Sequence, residues 1–364
     1  MPSIAASTDV FVIGGGPAGL AAAIAARQRG FDVTLADAAI PPIDKACGEG
    51  IMPDGLAAAR VLGIDLELSE GQPFCGIRFC DGVRSVEAVF PGVAERAIGI
   101  GMRRTTLHRI MADRAAALGV RLAWGARVEG IGEDCVHVGG ETVRTRWIIG
   151  ADGVNSRVRR WASLDASKAS HRPPSSALRF GFRRHYATAP WSELMEIHWA
   201  ARAQLYITPV SAGEVCVVLV SRDPHLRLDE AMHLFPVAAR SLQGASPAGV
   251  ERGAISASRR LKAVTRGRVA LVGDASGSVD AITGEGLCLL FQQSAALAEA
   301  MERDDLRGYR AAHAQLMRRP AFMANLMLML DGRRWLQRCA MRGMVFQPRI
   351  FELLLAAHVG ANAA

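Results

Sequence analysis

The sequence predicts an α/β protein: a doubly wound, Rossmann-like unit at the N-terminus, an antiparallel β-sheet domain behind it, and a C-terminal helical region. Three observations carry this. The apolar run 10–13 passes through a glycine-rich turn into the alanine-rich segment LAAAIAARQRG and returns as the apolar run 31–36, a βαβ unit of about thirty residues. Alternating apolar and polar runs at 176–184, 194–199, 204–210 and 214–220 have the two-residue period of strands. Roughly the last sixty residues are rich in Met and Arg with helical spacing, and their Leu-Met pairs at 327–330 suit packing.

The remaining elements follow in order. Residues 71–93 are strand-like, 103–118 return to helical period with Leu107, Ile110, Met111 and Ala115 on one side, and 121–124 and 136–138 read as short strands. Residues 147–153 and 268–273 are buried strands ending in glycine turns, and a long apolar helix runs from Gly286 to about Met301. A Pro/Ser-rich link opens at Ser167. Along 204–210, Leu205 and Ile207 share one face and Tyr206 and Thr208 the other, which predicts a sheet with one covered face.

Composition narrows the function classes. Half of the 364 residues are hydrophobic and 21% are charged, which excludes disorder as the dominant state. The net charge is +8, but the only lysines are Lys45, Lys168 and Lys262, so lysine-rich nucleic-acid arms are absent and no nucleic-acid partner is expected. Seven cysteines, with no C-x-x-C pair, give no support for a metal site and point to a reduced compartment. The N-terminal run is short, lacks a basic flank and ends in glycines, as a buried strand does. No stretch of about 20 apolar residues occurs, so no transmembrane span and a cytoplasmic location are expected.

Gly14, Gly16 and Gly19 follow a strand and open a helix, with Pro17 and Ala18 at its start and Asp37 twenty-three positions after the first glycine. Such glycines permit a tight turn, close approach of a pyrophosphate and close helix–strand packing, while an acidic residue at that distance accepts from a ribose hydroxyl. An acidic residue disfavours a 2′-phosphate, so FAD or NAD is expected rather than NADP. Two further glycine turns, Gly150-Ala-Asp152-Gly153 and Gly273-Asp274-Ala-Ser-Gly277, each follow a buried strand.

With these motifs in this order, the chain resembles the FAD-dependent aromatic hydroxylases of the p-hydroxybenzoate hydroxylase fold and their relatives, the geranylgeranyl reductases. The resemblance implies a discontinuous FAD-binding domain (1–70, 97–165 and 263–320), a substrate-binding sheet domain (71–96 and 166–262) and a C-terminal helical region (321–364). It implies that Asp274 bonds the FAD ribitol beside Gly273, that Arg104 lies close to the flavin, and that Asp152 supports the segment where NAD(P)H enters. Gly284, Gly286 and Leu287 would bring a helix N-terminus to the pyrimidine edge of the flavin. A reduced flavin is negative there, and a helix N-terminus stabilises an anion by roughly 0.3–2 kcal/mol. A second dinucleotide fingerprint is absent, as is usual in this group, and NAD(P)H remains the expected reductant.

The departures from the hydroxylases are informative. They show Gly-Asp-Ala-Ala-His and Gly-x-Asn, where this chain has Gly273-Asp-Ala-Ser-Gly277 and Gly286-Leu-Cys288. Residues 277–286 look like the reductase version, with Ala281 in place of its usual proline, and the stretch 44–50 is similar to the Cys-Gly-Gly stretch of the reductases. The Trp-x-Trp-x-Ile-Pro signature of the flavin-dependent halogenases is absent.

For catalysis the candidates are Cys47, able to face the flavin and relay a proton, Glu49 as an alternative donor, and Tyr206 as a pocket residue. His198 reads as an ordinary hydrogen-bonded histidine. The leading expectation is an NAD(P)H-using FAD monooxygenase that hydroxylates a hydrophobic aromatic or polyketide-like small molecule through a flavin C4a-hydroperoxide. The alternative is a geranylgeranyl-reductase-like enzyme acting on C=C bonds of a prenyl or polyketide chain.

Overall fold

The computed structural model describes residues 5–66, 68–92, 97–165, 178–331 and 333–360. Ser7–Ile13 is fully buried from Val10 onward, so it needs cover on both faces and lies inside a parallel sheet. Glu141–Gly150 flanks it on one side and Val33–Asp37 on the other, both parallel. Val269–Leu271 and Arg121–Trp124 extend the parallel set outward, and Thr265–Arg266 closes one edge antiparallel.

Helices cover one face of this sheet. Pro17–Gln28, Arg104–Ala117 and Gly286–Glu302 meet there around Leu20, Ile24, Met111, Phe291 and Leu297. Proline at the start of the first helix removes an N–H that the helix would leave unpaired anyway. The other face carries Phe11, Val143 and Leu271 under the hairpin Val128–Ile131/Cys135–Val138 and the short helix Arg157–Trp161.

The second sheet runs in the order Ser246–Pro247, Arg179–Ala187, Glu214–Ser221, Ala203–Ser211, Met195–Ala200, Gly76–Cys80, Ser85–Val89, with Arg252–Ser256 also on Arg179–Ala187. All its pairs are antiparallel except Met195–Ala200 with Gly76–Cys80. Here the structure corrects the expected single covered face, because both faces are covered. Leu205, Ile207 and Val217 pack under Leu228, Phe235 and Leu242, while Tyr206, Val218 and Val220 share a core with Met341, Met344 and Phe351 of the C-terminal helices. The local alternation could not show that distant helices return to cover the second face. The Pro/Ser-rich link at Ser167 lies outside the described residues.

A three-stranded sheet (Gly50–Ile51, Gly99–Gly101, Gln72–Phe74) ties the loop containing Cys47 to this architecture. A Cβ on Gly101 would stand 1.8 Å from the carbonyl oxygen of Pro209, so only glycine lets the small sheet approach the large one so closely.

Candidate active site

A cavity of about 660 Å³ runs from the first glycine turn to the second sheet. Every proposed site residue lines it except Gly19. That glycine serves packing, since a Cβ there would meet the Gly14 carbonyl oxygen at 1.8 Å. Gly14 has φ +111° and lies against Ala151, whereas a Cβ on Gly16 would meet nothing nearer than the Arg104 guanidinium at 3.9 Å. The space over Gly16 is thus open to a ligand, and among the described residues no side chain caps the helix Pro17–Gln28 beneath it.

The polar groups around this opening suit a dinucleotide. Arg104 carries a buried Nε with no hydrogen-bond partner among the described residues. Asp37 accepts from the Gly15 N–H at 2.6 Å and the Ala39 N–H at 2.7 Å, which fixes its carboxylate at the end of Val33–Asp37. His108 holds the same turn through the Gly15 carbonyl at 2.9 Å, and burial pushes its imidazole down from the ordinary value. Asp152 accepts from the Arg157 and Val158 N–H groups, capping the short helix, and its other oxygen is buried without a partner among the described residues.

At the second turn, Gly273 has φ +58° and donates its N–H to Gln293 Oε1 at 2.8 Å. The half-exposed Asp274 carboxylate lies 3.5 Å from Lys45 Nζ. The chain then forms the 3-10 turn Ala281–Thr283, reverses at Gly284 with φ +70°, and enters the helix Gly286–Glu302, whose first residues Gly286 and Leu287 lie on the cavity.

Glu49 is 2% exposed with φ 59°, a left-handed backbone that a non-glycine residue holds only when its surroundings fix it. Its Oε1 accepts from Arg183 Nη1 at 2.6 Å and the Arg104 N–H at 3.0 Å, and its Oε2 pairs with His185 Nε2 at 2.6 Å. Arg183 also grips both oxygens of Asp44 at 2.8 Å. Burial opposes ionisation of Asp44, yet Arg183 and Arg252 hold its carboxyl below the ordinary value. Cys47 sits two residues before Glu49, half-buried on the cavity wall, with the Glu49 N–H 3.4 Å from its Sγ.

Glu49, His185 and the Cys216 thiol lie within 4.8 Å of one another, a donor set that resembles a metal site. Arg183 already supplies the cationic charge there, and burial pushes the Cys216 thiol well above its ordinary value. Tyr206 forms part of the cavity wall, with its hydroxyl 2.6 Å from Gln204 Oε1 and 2.9 Å from the Ile282 carbonyl. Outside the cavity wall, buried His198 pairs with Glu196 at 2.8 Å, a hydrogen-bonded histidine as expected.

Sequence reasoning missed Arg183, His185 and Glu285. The first two sit on a strand whose alternation gave no hint that they meet Glu49. Glu285 is 4% exposed, and among the described residues neither of its oxygens has a hydrogen bond of full geometry, the Thr283 side chain giving only a weak one. Arg319 Nη2 and His358 Nδ1 each stand 3.7 Å from its Oε1. Burial pushes the Glu285 carboxyl up from 4.5 to about 8, opposed by Arg319 and reinforced by Asp54, and burial pushes His358 down from 6.5 to about 4.

These shifts set a pH dependence. The Glu285 contribution to stability is complete below pH 4.5 and is lost as pH rises through about 8, because the unfolded chain releases its proton first. The His358 contribution runs the other way, lost as pH falls from 6.5 through about 4. Between pH 6.5 and 8 Glu285 therefore acts without that opposition. The wild-type melting temperature is expected to fall across this window, and Glu285→Gln to flatten the fall; parallel melting curves would remove Glu285 as its source.

Among proteins of known sequence, the chain is 28% identical over 330 residues to menaquinone reductase of Mycobacterium tuberculosis, covering 84% of this chain and 79% of the relative. It is 25% identical over 303 residues to rifampicin monooxygenase of Rhodococcus hoagii, covering 79% of this chain and 62% of that protein. Among solved structures, a geranylgeranyl bacteriochlorophyll reductase-like protein of Thermoplasma acidophilum superposes with a TM-score of 0.75 at 19% identity, covering 90% of this chain and 88% of that one. PqsL of Pseudomonas aeruginosa, a probable FAD-dependent monooxygenase, gives a TM-score of 0.75 at 20% identity, over 91% and 98% of the two chains. At these identities the structural likenesses show the shared fold. Residues 7–308 match the model of the FAD binding domain family, and the chain belongs to that family as an FAD-dependent oxidoreductase.

Proposed function

We propose that the protein is an FAD-dependent reductase that saturates a C=C bond of an apolar, chain-like substrate, with NAD(P)H as the source of electrons. The observation that carries this reading is the placement of Cys47: a half-buried thiol on the cavity wall, on a reductase-like loop fixed from behind by the Arg183–Glu49–His185 cluster. The similarity to menaquinone reductase over most of both chains supports it.

FAD, when bound and reduced, would supply the electron pair together with one of the two hydrogens; the chain's residues do the rest. The open helix N-terminus at Gly16–Ala18 would neutralise the pyrophosphate, together with the Arg104 guanidinium, which stands over Gly16 rather than only beside the flavin, and Asp37 would take a ribose hydroxyl. Asp274, beside Gly273, would take a ribitol hydroxyl. The first N–H groups at Gly284–Leu287 favour negative charge on the pyrimidine edge, while Asp152 holds the neighbouring turn. Cys47 delivers the proton that completes saturation. Glu49, with both oxygens engaged, positions that loop and donates no proton, and Tyr206 forms part of the substrate wall.

A second reading, hydroxylation of an aromatic or polyketide-like molecule, is favoured by the similarity to rifampicin monooxygenase. Product mass separates the two: incubation with NAD(P)H and prenylated quinones or phenols should add two hydrogens to the prenylated substrate. Addition of one oxygen atom would select the second reading.

The cofactor assignment has its own test. Asp274→Ala removes a charged acceptor from a hydroxyl, a loss of about 1.5–3 kcal/mol, or roughly tenfold to hundredfold in FAD affinity. Undiminished FAD occupancy at limiting FAD would reject this role for Asp274.

A further inference from the structure

We propose that the outward faces of the three helices Arg318–Asp331, Arg334–Phe346 and Arg349–His358 form a docking surface for an anionic lipid membrane. On Arg334–Phe346 the inward residues Gln337, Met341 and Met344 are buried, whereas Trp335 is 65% and Phe346 90% exposed. The next helix buries Phe351 and Leu355 and exposes Ile350 and Leu353, the latter at 68%. The preceding helix exposes Phe322 at 66% and Met329. Isolated exposed apolar side chains are ordinary on a soluble protein, but a series along three consecutive helices marks an interaction surface.

The charge on these helices identifies the occupant. Residues 318–360 contain seven arginines and two acidic residues. One of the acids, Asp331, is buried and bonded to Arg179 at 3.0 Å, which leaves Glu352 as the exposed one. Arg334, Arg338, Arg342 and Arg349 are exposed, and no carboxylate pairs with them among the described residues. Arg338 and Arg342 follow Trp335 by three and seven positions, so they share its outward face. A helix with apolar and aromatic side chains beside arginines lies in the plane of a bilayer, with the apolar groups sunk below the headgroups and the guanidinium groups on the phosphates. A second copy of this chain is a poorer occupant, because a two-fold interface would set these unpaired arginines against their own counterparts.

Geometry agrees with lying on the membrane: no described helix is long and apolar enough to cross one. The helix Arg318–Asp331 also packs against the turn Ala281–Thr283, which contributes to the cavity wall. Docking would therefore bring the membrane within one helix of the cavity, whichever reaction takes place there.

The test uses the full FAD-loaded chain sedimented with phosphatidylcholine vesicles, with or without phosphatidylglycerol. Binding should require phosphatidylglycerol and weaken with salt. Both Arg338→Glu/Arg342→Glu and Trp335→Ser/Phe346→Ser should bind at least about tenfold more weakly while retaining flavin and melting temperature. If either pair loses flavin, Arg349→Glu/Leu353→Ser on the next helix takes its place. Equal binding to neutral vesicles, no binding at millimolar lipid, or a stable dimer dispersed by Phe346→Ser would overturn the proposal.

Discussion

Cys47→Ala is expected to slow substrate-dependent reoxidation of the reduced protein by about 10²–10⁴-fold, the usual worth of a positioned general acid. The thiol lies on the cavity wall, and its loop is held by Glu49 and by the Thr208 hydroxyl, which donates to the Gly48 carbonyl at 2.9 Å. Replacing the half-buried thiol with hydrogen gives up only the long Glu49 N–H contact to Sγ and should leave the other restraints and FAD binding intact, so the loss should fall on the proton-transfer step. Anaerobic stopped-flow at the flavin absorbance separates this step from reduction by NAD(P)H. A change confined to a few fold would remove Cys47 as the donor, and is the result the hydroxylase reading expects.

Arg183→Met is expected to destabilise the fold by about 3–5 kcal/mol, the cost of leaving a buried charge without its partner. Glu49 has a fully buried side chain and would keep its bonds to His185 and the Arg104 N–H, while Asp44 would lose both Arg183 bonds. Adding Glu49→Gln to the variant should recover a large part of the loss, because a neutral amide no longer needs the guanidinium. Denaturant unfolding of the two single variants and the double variant measures this coupling. Strict additivity would mean that Glu49 and Arg183 act independently, contrary to their 2.6 Å contact.

The fold class and the FAD relationship were legible because they rest on local patterns in chain order. A strand, a glycine turn and a helix are adjacent in sequence, so the dinucleotide cradle could be read residue by residue. The helix expected at 103–118 forms as Arg104–Ala117. The Cys47 loop was legible as a stretch of small residues but not as a braced one. Its supports, Arg183 and His185, come from a strand more than 130 residues later. The second covered face of the large sheet was hidden for the same reason, since the helices that cover it come from the end of the chain. Glu285 shows another limit: its chemistry depends on poorly met hydrogen bonds and on Arg319, His358 and Asp54 converging from three other helices. No sequence pattern reports an unmet partner.

The reductase claim is tested most directly by reducing the FAD-loaded protein without oxygen and adding a prenylated quinone. The flavin is expected to be reoxidised anaerobically, with one substrate C=C bond saturated for each flavin. Flavin that stays reduced until oxygen is admitted, followed by a product carrying one added oxygen atom, would contradict it.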